Sequence, residues 1–257
     1  MLVAPGDRLA GDLNGPVAAE TPFAKITAQL GRPPLPKNVE GKLNPALALS
    51  LYLDPQLKID SGSFSIDYAE YSAGKPVFSF PQREAFGPGF TGTQLISKFN
   101  VMLPKTAKIG TKISRLGGVV RAYVITVTQT LKVEDLLKAA GTASQVGNVD
   151  FKVTGATVEG RLLKVKLAAE RPELESQFSN PAVAFGGAHV RDAQGHLLRA
   201  MPTNLQVFKA VQGREKLEGE ISFRLSDGQG PFSLEWTLPT RTRRLEIPFE
   251  LKDLVLR

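Results

Sequence analysis

Apolar and polar residues alternate along many short stretches of this chain. The clearest period-2 runs are Phe64–Tyr68, Phe99–Leu103, Val149–Val153, Ile221–Leu225 and Phe232–Leu238. Gly, Pro, Asn and Asp bound these runs, as they bound strands with one buried and one solvated face. The pattern predicts an all-β protein whose antiparallel sheets pack face to face.

The same pattern occurs twice in the same order, which predicts an internal duplication. Four segments of the first half each match a segment of the second half, and two of these matches have no gap. They pair Asn38–Leu43 with Thr157–Leu162, Asp54–Leu57 with Arg171–Leu174, Tyr71–Val77 with Val190–Leu198, and Gly118–Val133 with Phe232–Ile247.

A copy of about 110 residues with some seven short strands is typical of an immunoglobulin-like sandwich. The sequence therefore predicts two tandem immunoglobulin-like antiparallel β-sandwiches, domain 1 over residues 37–140 and domain 2 over residues 145–257. The resemblance is one of architecture, because the Cys–Trp–Cys core of antibody domains is missing from a chain without cysteine.

The segments outside the two copies have a different composition. Residues 1–36 hold six prolines and four glycines, which predicts an extended Pro/Gly-rich N-terminal arm or linker, with a brief helix over Phe23–Leu30 as an alternative. Val133–Ala140 is followed by Gly141 and predicts one or two helical turns where the copies join.

Composition narrows the classes of chemistry. The absence of cysteine excludes disulfides, thiolate metal sites and cysteine nucleophiles. The sequence contains no run of about 18 apolar residues, so no transmembrane helix is predicted. We expect an extracytoplasmic location (periplasm, cell surface or secreted), because tandem sandwiches often act there; the signal peptide would then precede Met1.

The positive charge is concentrated in one segment. The chain has 32 basic and 25 acidic residues, yet residues 85–133 contain no acid. The seven bases of that segment are Lys98, Lys105, Lys108, Lys112, Arg115, Arg121 and Lys132. They make domain 1 basic and leave domain 2 near neutral, which predicts a face for a polyanionic glycan or another anionic surface. The alternative is that these bases are ordinary solvated side chains.

Residue types that carry catalysis or metal binding are sparse. His189 and His196 are the only histidines and supply too few zinc ligands; a partly packed strand histidine and an exposed turn histidine explain them more simply. The acids Asp54, Asp60, Asp67 and Glu70 are expected in turns and on outward strand faces. We therefore expect no catalytic residues, no metal and no cofactor.

Aromatic residues give little support to ligand stacking. Tyr68, Tyr71, Phe78 and Phe80 form the densest group and could contact a sugar, but strand alternation assigns Tyr68, Phe78 and Phe80 to a core. Trp236 is predicted to be a core residue. Tyr123 is the main aromatic residue near the seven bases that could stack on a nucleobase, and the sequence contains no named nucleic-acid-binding motif. We therefore do not expect nucleic acid as a partner.

These observations favour a non-catalytic structural or binding module of a bacterial cell-envelope or secreted protein. It would act as a spacer, assembly or adhesion element through protein–protein contacts, self-association included. Binding of carbohydrate or an anionic polymer by the basic face of domain 1 is the alternative, and a carboxylate-based hydrolase is a remote one.

Overall fold

Strands make up nearly all of the regular structure. The computed structural model describes residues 17–31, 46–78, 82–86, 95–103, 112–176, 181–209, 213–225 and 230–255. In these ranges there are fourteen strands and one short helix, and every strand pairing whose register is defined is antiparallel. The predicted all-β class with antiparallel sheets is confirmed.

Seven strands come from the first half of the chain. They are β1 (Val17–Glu20), β2 (Ala24–Gly31), β3 (Ala46–Leu53), β4 (Ile59–Tyr71), β5 (Gln82–Phe86), β6 (Leu95–Met102) and β7 (Lys112–Val133). The other seven are β8 (Ala143–Val146), β9 (Val149–Glu159), β10 (Leu162–Pro172), β11 (Ala188–Arg191), β12 (Arg199–Lys209), β13 (Arg214–Arg224) and β14 (Ser233–Val255). The helix, α1 (Pro181–Gly186), precedes β11.

The two sets of strands pair in nearly the same order. One sheet has the order β1-β2-β3-β6, and another has β8-β9-β10-β13-β12. The first four strands of the two sheets correspond, because adding seven to each strand number of the first sheet gives the order of the second. The third sheet, β11-β14-β7-β4-β5, likewise places β4 beside β7 and β11 beside β14. The fifth strand of each set differs, since β5 lies beside β4 whereas β12 lies beside β13.

Two glycine turns have the same hydrogen-bond pattern. In the first, the amides of Tyr71, Gly74 and Val77 donate to the carbonyls of Lys75, Tyr71 and Ala69. In the second, the amides of Asp192, Gly195 and Leu198 donate to the carbonyls of His196, Asp192 and Val190. Gly74 and Gly195 both adopt a positive φ, 72° and 83°, which a glycine accepts without strain. Both turns match the predicted strand–turn–strand segments.

The chain divides into two compact units, and neither is a continuous piece of sequence. Unit 1 comprises residues 1–55, 63–121 and 246–257, and unit 2 comprises residues 56–62 and 122–245. The long strands β4, β7 and β14 therefore contribute residues to both units. The predicted domains, 37–140 and 145–257, are contiguous and differ from the units in this respect.

Unit 2 is packed around its single tryptophan. Trp236 on β14 is fully buried, and its indole Nε1–H donates to the Ala184 carbonyl at 3.0 Å. The Phe185 ring stacks on it at a centroid distance of 5.4 Å, and Phe151 meets it edge-on at 5.3 Å. Gly219 makes room for Phe185, because a Cβ there would lie 2.8 Å from that ring. The predicted core role of Trp236 is confirmed.

The predictions for the N-terminal region need correction over its described part. Residues 17–31 form β1 and β2 rather than an extended arm or a helix. Ala24, Ile26 and Ala28 are buried, whereas Lys25 and Gln29 are exposed and Thr27 is half-buried. The strand β2 therefore has the period-2 pattern, which is too short to stand out among the prolines of this region. Residues 1–16 and 32–45 lie outside the described residues.

The junction between the strand sets contains a turn. The amide of Ala139 donates to the carbonyl of Asp135, and Gly141 follows at φ 88°. This agrees with the predicted glycine stop, although no helix is formed.

Replacing Trp236 with alanine tests the core of unit 2. We expect Trp236→Ala to lower the free energy of unfolding by about 3–5 kcal/mol, since the cavity removes two ring contacts and one buried hydrogen bond. Urea denaturation followed by circular dichroism measures this, because the variant has no tryptophan fluorescence. The exposed Val158→Ala is the control and should change the free energy by less than about 0.5 kcal/mol; equal losses in both variants would contradict this account.

Candidate functional site

The seven bases predicted to bind an anionic surface, here called the anionic-partner face, lie mostly on one strand. Lys112, Arg115, Arg121 and Lys132 lie on β7, and Lys98 lies on β6. Lys105 and Lys108 lie outside the described residues. Lys132 is exposed on the part of β7 that belongs to unit 2.

Three of these bases are paired with acids of β14 within unit 1. Lys112 Nζ lies 2.9 Å from Asp253, Arg115 Nε lies 3.3 Å from Glu250, and Arg121 Nε lies 3.2 Å from Glu246. The acids are more than a hundred residues away in sequence, so a local charge count does not include them. The part of the basic stretch that lies on β7 in unit 1 is thus lined by three ion pairs in the fold.

Tyr68 belongs to this charged face and not to the core. The Arg115 guanidinium lies 5.3 Å from the centroid of its ring, a cation–π geometry. The Arg115 side chain also holds the pKa of Glu250 below its usual range through their hydrogen bond. Ile66 and Ala69 are buried while Asp67 and Tyr68 between them are exposed, so the alternation slips by one residue in β4. That irregularity turns Tyr68 outward, contrary to the prediction.

A buried polar cluster in unit 2 joins three ionisable side chains. Arg171 on β10 donates from Nε and Nη2 to Glu215 Oε2 at 3.1 and 3.0 Å, and from Nη1 to the Pro239 carbonyl at 2.7 Å. Asp60, at the start of β4, is fully buried close to this pair, and its Oδ2 accepts a bond from Ser61. The prediction that Asp60 is solvated is therefore wrong.

Of the three ionisable side chains in the buried cluster, Asp60 has the fewest hydrogen bonds to offset its loss of solvent. Its Oδ1 and the Ser176 hydroxyl are buried without a well-formed hydrogen bond. Burial raises the pKa of Asp60, and Ser176 and Arg171 offset that effect only in part. The cluster is closed to solvent, so its carboxylates are not arranged for a substrate to reach.

The histidines stand apart from any metal geometry. His189 on β11 is exposed rather than partly packed, and the ring of His196 lies 3.2 Å from the Asp192 carboxylate in the second glycine turn. Burial would raise the pKa of Asp192, but the amides of His196 and Gln194 and the His196 ring lower it. Across the described part of the chain, no three His, Asp or Glu side chains gather as potential metal ligands.

A polar groove of about 350 Å³ lies on the sheet of unit 2. Its hydrogen-bonding side chains come from four neighbouring strands: Thr154 of β9, Lys166 of β10, Glu218 and Glu220 of β13, and Asn204 and Gln206 of β12. The register places Lys166 opposite Glu220 and Glu220 opposite Asn204, so one row of side chains crosses the groove. Sequence analysis missed it, because a cross-strand row leaves no local signature.

The edge of the same sheet is formed by β12. Among the described strands β12 pairs with β13 alone. Three large apolar side chains are exposed on or just before it: Leu197 at 56%, Met201 at 37% and Phe208 at 44%. Along this edge, backbone groups that no described strand pairs therefore occur together with apolar side chains.

Comparison with known proteins does not assign this chain to a family. No family model, no curated protein and no solved structure matches the chain. The described residues form no helix that is long and apolar enough to cross a membrane.

Asp60→Asn tests the buried cluster through the pH dependence of stability. Because the folded-state pKa of Asp60 is raised, folding takes up a proton, and stability falls as pH rises from the unfolded-state pKa to the folded one. We expect the advantage of Asp60→Asn over the unmodified chain to grow across that window and then level off. Urea titrations from about pH 4 to about pH 8 measure it. Asp67→Asn, on an exposed position, is the control; a pH-independent difference for Asp60→Asn would contradict the assignment.

Heparin chromatography tests the anionic-partner face. We expect the protein to elute at low salt, because acids of β14 already neutralise Lys112, Arg115 and Arg121. The variant with Glu246→Gln, Glu250→Gln and Asp253→Asn should elute later, since it releases those bases. Strong retention of the unmodified chain would instead support the face.

Proposed function

We propose that this chain is a non-catalytic structural or binding module that acts through protein–protein contacts. The observation that carries the proposal is the β12 edge, where Leu197, Met201 and Phe208 expose apolar surface along a strand paired on one side. A partner strand or loop could take hydrogen bonds from the free edge and cover those side chains at the same time.

The edge also has features that restrict pairing. The register between β12 and β13 shifts between Pro202 and Asn204, and proline has no amide to donate. Bulges and prolines interrupt an edge and discourage indiscriminate strand addition. A specific partner that matches the interrupted edge, or a second copy of the chain, fits this surface better than open-ended aggregation.

We infer that the architecture arose by duplication of an immunoglobulin-like sandwich. The inference is supported by the strand orders β1-β2-β3-β6 and β8-β9-β10-β13 and by the two glycine turns with one hydrogen-bond pattern. The different partners of β5 and β12 fit it as well, because strands of sandwich domains can switch sheets. Tandem sandwiches of this kind serve as spacers and adhesion elements, which favours an extracytoplasmic setting.

The edge variant Met201→Lys with Phe208→Lys tests the proposal. Both residues are exposed, so the variant should fold, and two lysines on an edge oppose strand addition. We expect the unmodified chain, crosslinked in the cells that produce it, to give discrete protein adducts or dimers that the variant reduces at least about tenfold. Sedimentation velocity of the purified proteins separates self-association from a second protein.

Val127→Lys is the matched control. Val127 is exposed to a similar extent, 39%, but lies on β7, which has neighbours on both sides in its sheet. Its adducts should equal those of the unmodified chain. Adducts that persist in the Met201→Lys, Phe208→Lys variant, or their absence from the unmodified chain, would refute the role of the edge.

A further inference from the structure

We propose that the polar groove on the unit 2 sheet is a binding site for a neutral oligosaccharide. This goes beyond protein contact at the β12 edge, because the groove lies on the sheet surface and uses other side chains. Its hydrogen-bonding groups, taken from β9, β10, β13 and β12, surround a volume of about 350 Å³, which is enough for one or two sugar rings.

Two β-bulges shape the groove. Lys166 pairs with Gly155 and Leu167 with Val153, which leaves Thr154 as an extra residue of β9. On the other side, Pro202 pairs with Ile221 and Asn204 with Glu220, so β12 also carries one extra residue. Both bulges adjoin the row that contains Lys166 and Glu220. Bulges bend the strand and redirect side chains, and these two lie on opposite sides of one row that crosses the groove.

The charges around the groove are balanced, which favours a neutral ligand. Lys166 Nζ lies 3.8 Å from Glu220 Oε2, and Lys216 Nζ lies 2.6 Å from Glu218 Oε1. A charged ligand would have to break one of these pairs or meet a like charge. A ligand with hydroxyl groups can bond to both members of a pair without disturbing the balance.

The neutral side chains of the groove offer both donors and acceptors. Asn204 and Gln206 project from the same face of β12 and are exposed, and Gln206 Nε2 lies 3.4 Å from Asn204 Oδ1, too long for a strong bond. Each amide has two donor hydrogens and an acceptor oxygen, and Thr154 adds a hydroxyl. Vicinal sugar hydroxyls also donate and accept, so the two sets of groups match.

Titration with neutral oligosaccharides tests the site. The probes are hexamers of β-1,4-linked glucose, α-1,4-linked glucose and β-1,4-linked N-acetylglucosamine, added to the ¹⁵N-labelled full chain. We expect at least one of them to shift the amide resonances of Asn204, Gln206 and Glu220 in a saturable way. Asn204→Ala and Gln206→Ala should each weaken its binding roughly tenfold, the loss of one or two hydrogen bonds.

Two further variants separate this proposal from its alternatives. Gln145→Ala removes an exposed amide on β8, outside the groove, and should leave affinity unchanged. Lys138→Gln removes one charge of the exposed Asp135–Lys138 ion pair, which lies outside the groove lining, and should also leave affinity unchanged. The proposal is overturned if no neutral oligosaccharide shifts groove resonances, if only a sulfated heparin hexamer does, or if Asn204→Ala and Gln206→Ala bind as the unmodified chain does. The adduct measurement on the edge variant Met201→Lys, Phe208→Lys reports protein contact and the titration reports sugar binding, so either proposal can fail alone.

Discussion

The antiparallel pairing of β7 with β14 is the interaction on which both units depend. In unit 2 the two strands are joined by polar side chains, as where the hydroxyls of Thr130 and Thr237 lie 2.9 Å apart. In unit 1 they are joined by charges, as between Arg121 and Glu246. Because each strand has more than twenty residues, one end completes one unit and the other end completes the second. Both units therefore need strand residues from both halves of the sequence.

This pairing also explains the uneven charge of the chain. Bases collect in residues 85–133 and acids near the end of β14, so each segment alone would repel itself. Side by side in unit 1, three bases of β7 each lie against an acid of β14. Exposed pairs of this kind add little stability one by one, yet like charges in these positions would oppose the strand pairing. Charge on these two strands thus favours β14 as the neighbour of β7.

The sequence predicted what short-range alternation determines. The all-β class, the burial of Val149, Phe151 and Val153 and the core position of Trp236 follow from period-2 patterns. The matched segments Gly118–Val133 and Phe232–Ile247 fall on the strands β7 and β14. Alternation could not fix their register, because any even shift preserves the faces. It also could not reveal the slip that exposes Tyr68, the cluster that buries Asp60, or the cross-strand row of the groove, since each depends on residues far apart in the chain.

The order in which the chain is made has a consequence for unit 1. Its strand β2 is synthesised long before its segment 246–255, which follows β2 in the chain. Until that segment arrives, β7 lacks the acids that neutralise it, and its flank is open to other strands. Long-range pairing of this kind folds slowly and exposes edges meanwhile. During that interval the bases of β7 oppose its pairing with a second copy of the same strand, because like charges placed opposite each other destabilise a sheet.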